Sequence, residues 1–464
     1  MTASRSADAA RRRRFGAARA VPAFAALALA CGTPSLAGRS RTLEASYARA
    51  AAEAQPSDDA PASFDGAPVL ERAALVAEVL RRNPTLEAAR QAWRAALARP
   101  AQERSLDDPM LGLSLAPWSL GSGTVDPGYT IEISQALPFP GKLALREEVA
   151  LAEAEATAHD YEATRLRIAL IASRLYDDYY LAARTSEIDA HHVALLERLQ
   201  PVALARYEAG EASQQDPLQA ETEKAMLEHE QILAETDGRV AAERIDALLH
   251  RPPDHPLPAP PSRLGSPPPA PADDESLLRE AVSARPELQA ADARASGRER
   301  AVDLAQREFL PDFGVFARYD KVWQEKDLQP MVGLQVQVPL RLDRRRAALD
   351  EARAELARSR SERARTEDAV RLDVVSAAER LREAHHLYDL ARERLVPAAR
   401  DRAVAARAAY ESGKEAFATL IDAERGRRET ELELERSLVN VLRRHFELER
   451  ALGRAAGLGQ EGRP

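Results

Sequence analysis

An internal duplication constrains this chain more than any other feature. The segment RRNPTLEAAR (81–90) returns as SARPELQAADAR (283–294), and RYEAGEASQQDPLQAE (206–221) returns as AYESGKEAFATLIDAE (409–424). Three pairs of equivalent residues give nearly constant offsets of 202, 201 and 203: Pro84 and Pro286, Pro138 and Pro339, and Gly210 and Gly413. This period is far longer than the roughly 20–50 residues of a solenoid repeat. Each half must therefore contain a complete set of secondary-structure elements.

Composition favours long helices over a thick globular core. The 464 residues are 5% aromatic, 45% hydrophobic and 30% charged, and much of the hydrophobic fraction is alanine. Such a composition is typical of coiled coils. The net charge is −9 and no basic patch stands out, which argues against a nucleic-acid partner. No nucleophile–base arrangement, zinc spacing or phosphate loop occurs, so neither an enzyme nor a cofactor is predicted.

The N-terminus has the pattern of a secretory signal peptide over residues 1–30. Arg11 to Arg14 form its basic region and Ala20 to Ala30 its short apolar run. Cleavage before Cys31 would make this only cysteine a lipidated first residue, whereas cleavage after Ala37 is the alternative. No later segment is apolar enough to predict a transmembrane helix.

Long helices are expected over 141–207 and 341–410, where apolar residues recur at three- and four-residue steps. Each would be about 100 Å long and would need a partner helix along its length. Shorter helices are expected over four ranges: 70–103, 216–250, 275–308 and 416–452. Adding their lengths predicts that the C-terminal helix stacks end to end with the N-terminal one.

The domain organisation follows from the duplication. Repeat 1 covers 66–250 and repeat 2 covers 275–453. The connecting residues 251–274 contain ten prolines and are expected to form a stiff, extended linker. An N-terminal arm over 31–65, poorly ordered or extended from residue 38, and a C-terminal tail over 454–464 complete the chain.

Two β-hairpins are predicted, at 109–137 and 312–340, because hydrophobicity alternates there with a period of two. One apolar face over about ten residues is typical of an outer-membrane strand. A soluble sheet packed on helices is the alternative, but the signal peptide and the lack of a spare apolar helix face favour the membrane. Four strands cannot close a barrel, so a membrane role requires an oligomer. Four aromatic residues near the loop ends suit a membrane interface: Trp118, Tyr129, Tyr319 and Trp323.

Several of these features together resemble the TolC-like outer-membrane efflux family. They are the signal peptide, the duplicated helix–hairpin–helix unit, LPFPGKL before a long helix, and YxxG at both helix–helix turns; the resemblance covers about residues 66–453. It implies a mainly α protomer with a small β part. It also implies a homotrimer with a twelve-stranded β-barrel in the outer membrane and an α-helical barrel across the periplasm. The PELQAA and PFPGK forms resemble the metal- and drug-efflux branch that works with RND pumps.

The resemblance assigns roles to the two helical turns, at 208–217 and 411–420. In the family these turns contact a periplasmic adaptor protein and close the channel. The implied adaptor contacts are Gly210, Glu211, Ser213, Gln214, Gly413, Lys414 and Phe417. Phe417 is the expected anchor, because an aromatic residue is unusual in so alanine-rich a coiled coil.

Acidic residues just past the turns are implied to face the pore constriction. By spacing from YxxG these are Asp216 and Asp422, and threefold symmetry would gather each into a ring that favours cations. Thr419 occupies a position that is acidic in family members with a fuller gate, which implies a weaker gate here. Alternatively, Asp216 is a helix N-cap before Pro217, and Asp422 is simply an exposed helix residue.

The polar faces of the hairpins are expected to line the barrel lumen with Glu132, Arg318 and Asp320, together with Ser134, Gln335 and Gln337. The pairs His191–His192 and His385–His386 do not predict a metal site. Adjacent helical residues point about 100° apart, so we expect solvated histidines or histidines at the rim of the coiled coil.

The sequence therefore predicts a passive outer-membrane exit duct, coupled through an adaptor to an inner-membrane pump. A duct for type I protein secretion is one alternative, because it uses the same fold. A secreted, non-conducting coiled-coil scaffold, whose hairpins pair with partner sheets, is another.

Overall fold

A computed structural model describes residues 34–53, 61–121, 123–271, 273–323 and 325–456. The predicted signal peptide and Cys31 lie outside these residues. The chain divides into two compact units, a sheet unit and a helical unit. Of the described residues, the sheet unit contains those in 34–44, 99–151 and 300–352, and the helical unit contains the others.

Helices account for most of the described chain. In order they are α1 Pro34–Glu53, α2 Arg72–Arg82, α3 Pro84–Arg104, α4 Lys142–Glu208, α5 Gln215–Leu248, α6 Asp274–Ala284, α7 Pro286–Arg307, α8 Leu342–Leu390, α9 Val396–Glu411 and α10 Phe417–Ala451. A π-helical turn, Ala391–Leu395, joins α8 to α9. The long helix expected over 341–410 is thus helical throughout, but one of its turns is wider than an α-turn.

Two of the shorter helices are broken, contrary to the sequence prediction. The segment expected at 70–103 breaks at Asn83 (φ −65°, ψ 122°), and the one expected at 275–308 breaks at Arg285 (φ −66°, ψ 120°). Each break immediately precedes a proline, Pro84 or Pro286. Proline disfavours the helical conformation of the residue before it and has no N–H to continue the ladder, so the chain kinks there.

The predicted stacking of the C-terminal helix on the N-terminal one is wrong. The Asn83 side-chain amide donates to the carbonyl of Leu248 at the end of α5, at 2.9 Å. At the equivalent place in repeat 2, the Arg285 guanidinium donates to the carbonyl of Ala451 at the end of α10, at 3.1 Å. Each return helix therefore ends at the kink of its own repeat. Adding helix lengths cannot distinguish this pairing from the exchanged one.

The N-terminal arm also differs from expectation. The arm, expected to be poorly ordered or extended, contains α1, whose Tyr47 contacts the Trp93 ring edge-on at a centroid distance of 5.3 Å. The linker has no helix or strand over 251–271, and it packs on the helical unit. There the carbonyl of Ala259 accepts a hydrogen bond from the N–H of Leu70 at 2.8 Å.

The helical unit is held together by small apolar contacts and by buried ion pairs. Leu75, Val79 and Ile245 are completely buried in one of its clusters. Beside them, buried Arg72 contacts Asp177 at 2.6 Å and lies over the Tyr176 ring at 4.5 Å. Burying a paired arginine costs less than burying a lone one, so this contact fixes the position of α2 on α4.

The sheet unit contains one antiparallel sheet of order β1-β2-β3-β4. Its strands are β1 Met110–Leu115, β2 Tyr129–Leu137, β3 Asp312–Asp320 and β4 Pro330–Gln337. The two predicted hairpins are thus joined by pairing of β2 with β3. The register places Leu111 opposite Ile133, Ile133 opposite Ala317, and Ala317 opposite Val332. Apolar side chains of all four strands therefore lie on one face.

Candidate functional site

The apolar face of the sheet is exposed, which reverses the pattern of a soluble protein. Leu111 is 77% exposed, Leu113 69% and Val332 87%. On the opposite face, the polar side chains of the two central strands are less exposed, at 23% for Glu132 and 35% for Arg318. A soluble antiparallel sheet buries its apolar face and exposes its polar face. This sheet is instead built to present its apolar face to lipid or to another apolar surface.

The polar face contains the residues that we expected in a barrel lumen. Arg318 donates through Nε to the Glu132 carboxylate at 2.7 Å, and the Thr130 hydroxyl donates to Asp320 at 3.3 Å. Phe316 lies on the same face over Gly333, where a Cβ would be 2.3 Å from the ring. This close approach requires glycine at 333. The structure thus places Glu132, Arg318 and Asp320 together on one face.

Aromatic residues lie at the end of the sheet that carries the hairpin loops. The rings of Tyr129 and Tyr319 are 6.2 Å apart, and the Tyr319 hydroxyl is 2.6 Å from the side-chain oxygen of Gln329. Trp118 is 95% exposed and Trp323 is 50% exposed. Amphipathic rings at this position suit a boundary between an apolar and an aqueous phase.

A buried lysine holds the other end of the sheet to α4. The Lys142 ammonium group lies 2.9 Å from Asp312, 3.3 Å from Glu308 and 3.3 Å from the carbonyl of Leu310. Its side chain is 1% exposed. Lys142 is the lysine of LPFPGKL, a motif from which we predicted a helix start but not this ion-pair role. The signal was available, because a lysine directly after Pro-Gly at a helix start invites acidic partners.

Both helical turns have the same capped geometry. Gly210 and Gly413 have φ of +75° and +72°, as expected for glycine C-caps. The Gly210 N–H donates to the carbonyl of Tyr207 at 2.9 Å, and the Glu211 N–H donates to that of Arg206 at 2.9 Å. The second turn repeats this pair of bonds, which is the Schellman motif. Backbone hydrogen bonds therefore cap both turns in the same conformation.

The two turns contact each other through Arg206. Its guanidinium lies 4.7 Å from the centre of the Tyr410 ring and donates to the Tyr410 carbonyl oxygen. Phe417 packs against the same Tyr410, with ring centroids 5.2 Å apart, and is fully buried. The prediction that Phe417 anchors a partner protein is therefore wrong. Its large apolar ring stabilises the cluster behind the turn instead.

The other predicted contacts at the turns are exposed. They are Glu211, Ser213, Gln214 and Lys414. The Ser213 hydroxyl accepts a hydrogen bond from the N–H of Gln215 at 3.1 Å, and so caps the start of α5. This corrects the alternative in which Asp216 is the N-cap. Asp216 lies within the first turn of α5, where a carboxylate interacts favourably with the helix dipole.

The acidic residues proposed for the constriction have different surroundings. Asp422 is exposed and lies 3.6 Å from Arg425 and 3.9 Å from Arg402. Asp216 is partly buried and its charge acts on Tyr410. Burial raises the pKa of the Tyr410 phenol, and the charge of Asp216 raises it further. Thr419 is exposed, with its hydroxyl 3.4 Å from Glu415.

One of the histidines that we expected to be solvated or at the rim of the coiled coil is buried instead. His192 is buried, with its Nε2 3.1 Å from the Glu431 carboxylate, whereas His191 is exposed. His192 is buried because α10 packs against this face of α4. Among the described residues, no group of three or more His, Cys, Asp or Glu side chains is placed to hold a metal ion. None of the described helices is both long and apolar enough to cross a bilayer.

Comparison with known proteins identifies the fold and the family. The model of the outer membrane efflux protein family matches residues 75–250 and 277–454. The structure of CusC superimposes with a TM-score of 0.70 at 17% identity, covering 86% of this chain and 98% of CusC. VceC from Vibrio cholerae gives 0.69 at 19% identity, with coverage of 82% and 95%. The open-state MtrE channel of Neisseria gonorrhoeae gives 0.65 at 17% identity, with coverage of 85% and 91%.

No curated protein sequence matches the chain. The family match covers most of both repeats, including both long helices and both helical turns. The chain therefore belongs to the outer membrane efflux protein family, a family of channels and not of enzymes.

Proposed function

We propose that this chain is one protomer of a trimeric outer-membrane exit duct that conducts its cargo passively. Three copies would each contribute four strands to one twelve-stranded barrel, and their helices would form a tube through the periplasm. The observation that carries the proposal is the sheet, which exposes its apolar face and carries the Glu132–Arg318 ion pair on the opposite face. Family membership supports the same conclusion.

The sheet cannot be complete in one copy. Within the described residues, β1 pairs only with β2 and β4 only with β3, so each has an open edge. Unpaired backbone groups cannot face lipid, and about eight strands are needed to close a barrel. Each copy therefore needs neighbours on both edges, which a cyclic ring of identical copies provides.

Exposed apolar residues on the helices support a ring as well. On α5 they recur at seven- or eight-residue spacing: Leu218, Met226, Leu233 and Val240. On the α8–α9 side Leu387, Leu390 and Val404 are also exposed. A heptad-like apolar stripe requires a facing helix. We propose that the α5 stripe of one copy packs on the α8–α9 face of the next.

The helical turns are the proposed docking site for a periplasmic adaptor, through which an inner-membrane pump of the RND type supplies energy. Glu211, Gln214 and Lys414 are exposed there and rigidly presented by the capped turns. The mixed charges of Glu132 and Arg318 on the polar face suit a wet conduit rather than a tight binding site. We propose that processing at Cys31 adds a lipid anchor. The mass of the mature N-terminal peptide would distinguish this from cleavage after Ala37.

One experiment tests the central proposal. The protein is purified in detergent, its subunit number is measured by native mass spectrometry, and it is inserted into planar bilayers. We expect a trimer that conducts ions. A monomer without conductance would overturn the proposal and would favour the secreted-scaffold alternative.

A further inference from the structure

Opposite charges flank the two open edges of the sheet, at the same end. Asp107 and Asp108 immediately precede β1, and Arg341 and Arg344 follow β4. Because the strands are antiparallel, the start of β1 and the end of β4 lie at one end of the sheet. The backbone of Asp107 is fixed there, since its carbonyl accepts a hydrogen bond from the Gln135 side chain at 2.7 Å.

These four charged side chains are exposed and have no partner in their own copy. Within the described residues, no ion pair or side-chain hydrogen bond engages Asp107, Asp108, Arg341 or Arg344. The arginines between and beside them differ. Arg345 donates to the carbonyl of Glu308 at 2.6 Å, and Arg346 lies 3.5 Å from Asp343. The unpartnered arginines are thus a distinct pair, and not part of a uniformly solvated run.

The position of the arginines is electrostatically unfavourable in a single copy. Arg344 lies in the first turn of α8, where the helix dipole disfavours a cation. Arg341 and Arg344 are also close to Arg345 and Arg346 in sequence. A nearby anion would offset both effects. The open edge of β1 carries two carboxylates, those of Asp107 and Asp108.

The end of β4 suggests how a neighbouring copy would meet it. The ladder between β3 and β4 ends at Gln337, but the apolar alternation continues to Val338, 59% exposed, and Leu340, 84% exposed. This extension has no strand beside it in the described residues. If Leu111 of the next copy lies opposite Val338, all apolar side chains of both strands remain on the outer face. The same antiparallel register places Asp108 opposite Arg341.

We propose that β1 of one copy pairs with β4 of the next in this register, and that Asp107 and Asp108 form ion pairs there with Arg341 and Arg344 of the next copy. The inference rests on the ring of three proposed above and specifies its seam. The barrel would then contain three identical charged seams at the end where the sheet joins the helices. Coulombic attraction between the edges would select this register over those shifted by two residues.

Disulfide cross-linking tests the register. In the full chain, Asp108→Cys with Arg341→Cys should give covalently linked dimers and trimers on a denaturing gel after mild oxidation. Asp108→Cys with Gln335→Cys, on the same face but six residues away, should not. Each single cysteine variant controls for bridges through Cys31. A trimer in detergent that links in the control pair, or in neither pair, contradicts the register.

Charge reversal tests the ion pairs. Reversing both arginines (Arg341→Glu, Arg344→Glu) or both aspartates (Asp107→Arg, Asp108→Arg) should lower the dissociation temperature of the trimer by about 5 °C at low salt, and 1 M NaCl should reduce the loss. Combining all four changes should restore most of it. Arg346→Glu is the matched control, because Arg346 is paired within its own chain. It should lower the dissociation temperature less, and the aspartate reversals should not restore that loss.

The outcomes separate this inference from the proposed function. If the unaltered protein is a monomer, the ring itself fails. If it is a trimer but the combined reversal does not restore its stability, the seam is wrong and the ring stands. Reversing the arginines could instead lower the stability of the trimer by an amount that changes only when anionic phospholipid is added. That result would assign the arginines to lipid headgroups and would also overturn the pairing.

Discussion

Arg206 joins the two helical turns of the chain, because its guanidinium stacks on the Tyr410 ring and donates to the Tyr410 carbonyl oxygen. The two residues come from the ends of different long helices, α4 and α9. This side chain therefore connects the two surfaces that we assign to the adaptor.

Replacing Arg206 by alanine should loosen both turns without unfolding the helices. Loss of the stacking and of the charged hydrogen bond should reduce local stability by about 1.5 kcal/mol. Hydrogen exchange should accelerate about tenfold in peptides that cover the turns. Arg206→Lys, which keeps the charge but not the planar fork, should give an intermediate rate. Unchanged exchange in the alanine variant would show that the backbone caps alone hold the turns.

The two faces of the sheet should respond differently to the same substitution. Leu113→Arg puts a charge on the apolar face and should cost about 2–4 kcal/mol if that face contacts the bilayer core. Ser114→Arg, one residue away on the polar face, should be tolerated. The yield of folded trimer extracted from outer membranes measures both. Equal yields would mean that lipid does not contact the apolar face.

Removing the buried charge of Lys142 should destabilise the junction between the sheet and α4. Lys142→Met leaves Asp312 and Glu308 without their common partner. Both carboxylates are partly exposed, so we expect a loss of about 2 kcal/mol rather than the larger loss of a fully buried pair. Arg146→Met, which removes a half-exposed cation 3.9 Å from Glu308, is the matched control and should cost well under half as much. The urea midpoint of the detergent-solubilised protein distinguishes them.

Asp216 and Asp422 should restrict ions if they face the constriction. Replacing both by alanine should raise the conductance at low voltage in planar bilayers. Thr419→Asp is the reciprocal change, because it adds the acid that this chain lacks, and it should increase the preference for cations. Gating that is the same in all three proteins would remove the constriction role from these residues.

Acidification should weaken the helical unit at His445. Partial burial lowers the pKa of the His445 ring, and the charges of His385 and Arg454 lower it further against the opposing charge of Glu449. The folded pKa is thus below the unfolded value of about 6.5, so stability is greatest above that pH and falls as the pH drops through the folded pKa. His445→Gln should reduce the dependence of the melting temperature on pH between about pH 7 and 5. The exposed His191, changed to Gln, should leave the wild-type slope intact.

The sequence was informative wherever periodicity alone decides the structure. Alternation around Leu113 and Val332 predicted all four strands, and the three- and four-residue steps predicted α4 and α8–α9. The breaks at Asn83 and Arg285 could also have been predicted, because each residue precedes a proline. We missed them because helical periodicity continues across both. Here a local steric rule prevailed over the apolar pattern.

Which helices meet, and which side chains are buried, could not be predicted from the sequence in the same way. The lengths of the helices do not reveal that the end of α10 meets Arg285, because tertiary contacts decide it. They include the hydrogen bond of Arg285 to Ala451 and the burial of Ala281 and Leu448 in one apolar cluster. Phe417 was expected at a surface because it is aromatic and next to a turn. It is buried because Tyr410, which lies on the other helix of the turn, provides a ring to pack against. Such contacts depend on tertiary structure, and periodicity does not encode them.

The wide turn at Ala391–Leu395 accounts for part of a small irregularity in the duplication. The offset between the repeats grows from 201 residues at Pro138 to 203 at Gly210, so repeat 2 has gained residues between these landmarks. An added residue in a regular α-helix rotates everything beyond it by about 100°. A π-helical turn absorbs one such residue locally. The turn therefore accounts for one of the two residues that repeat 2 has gained.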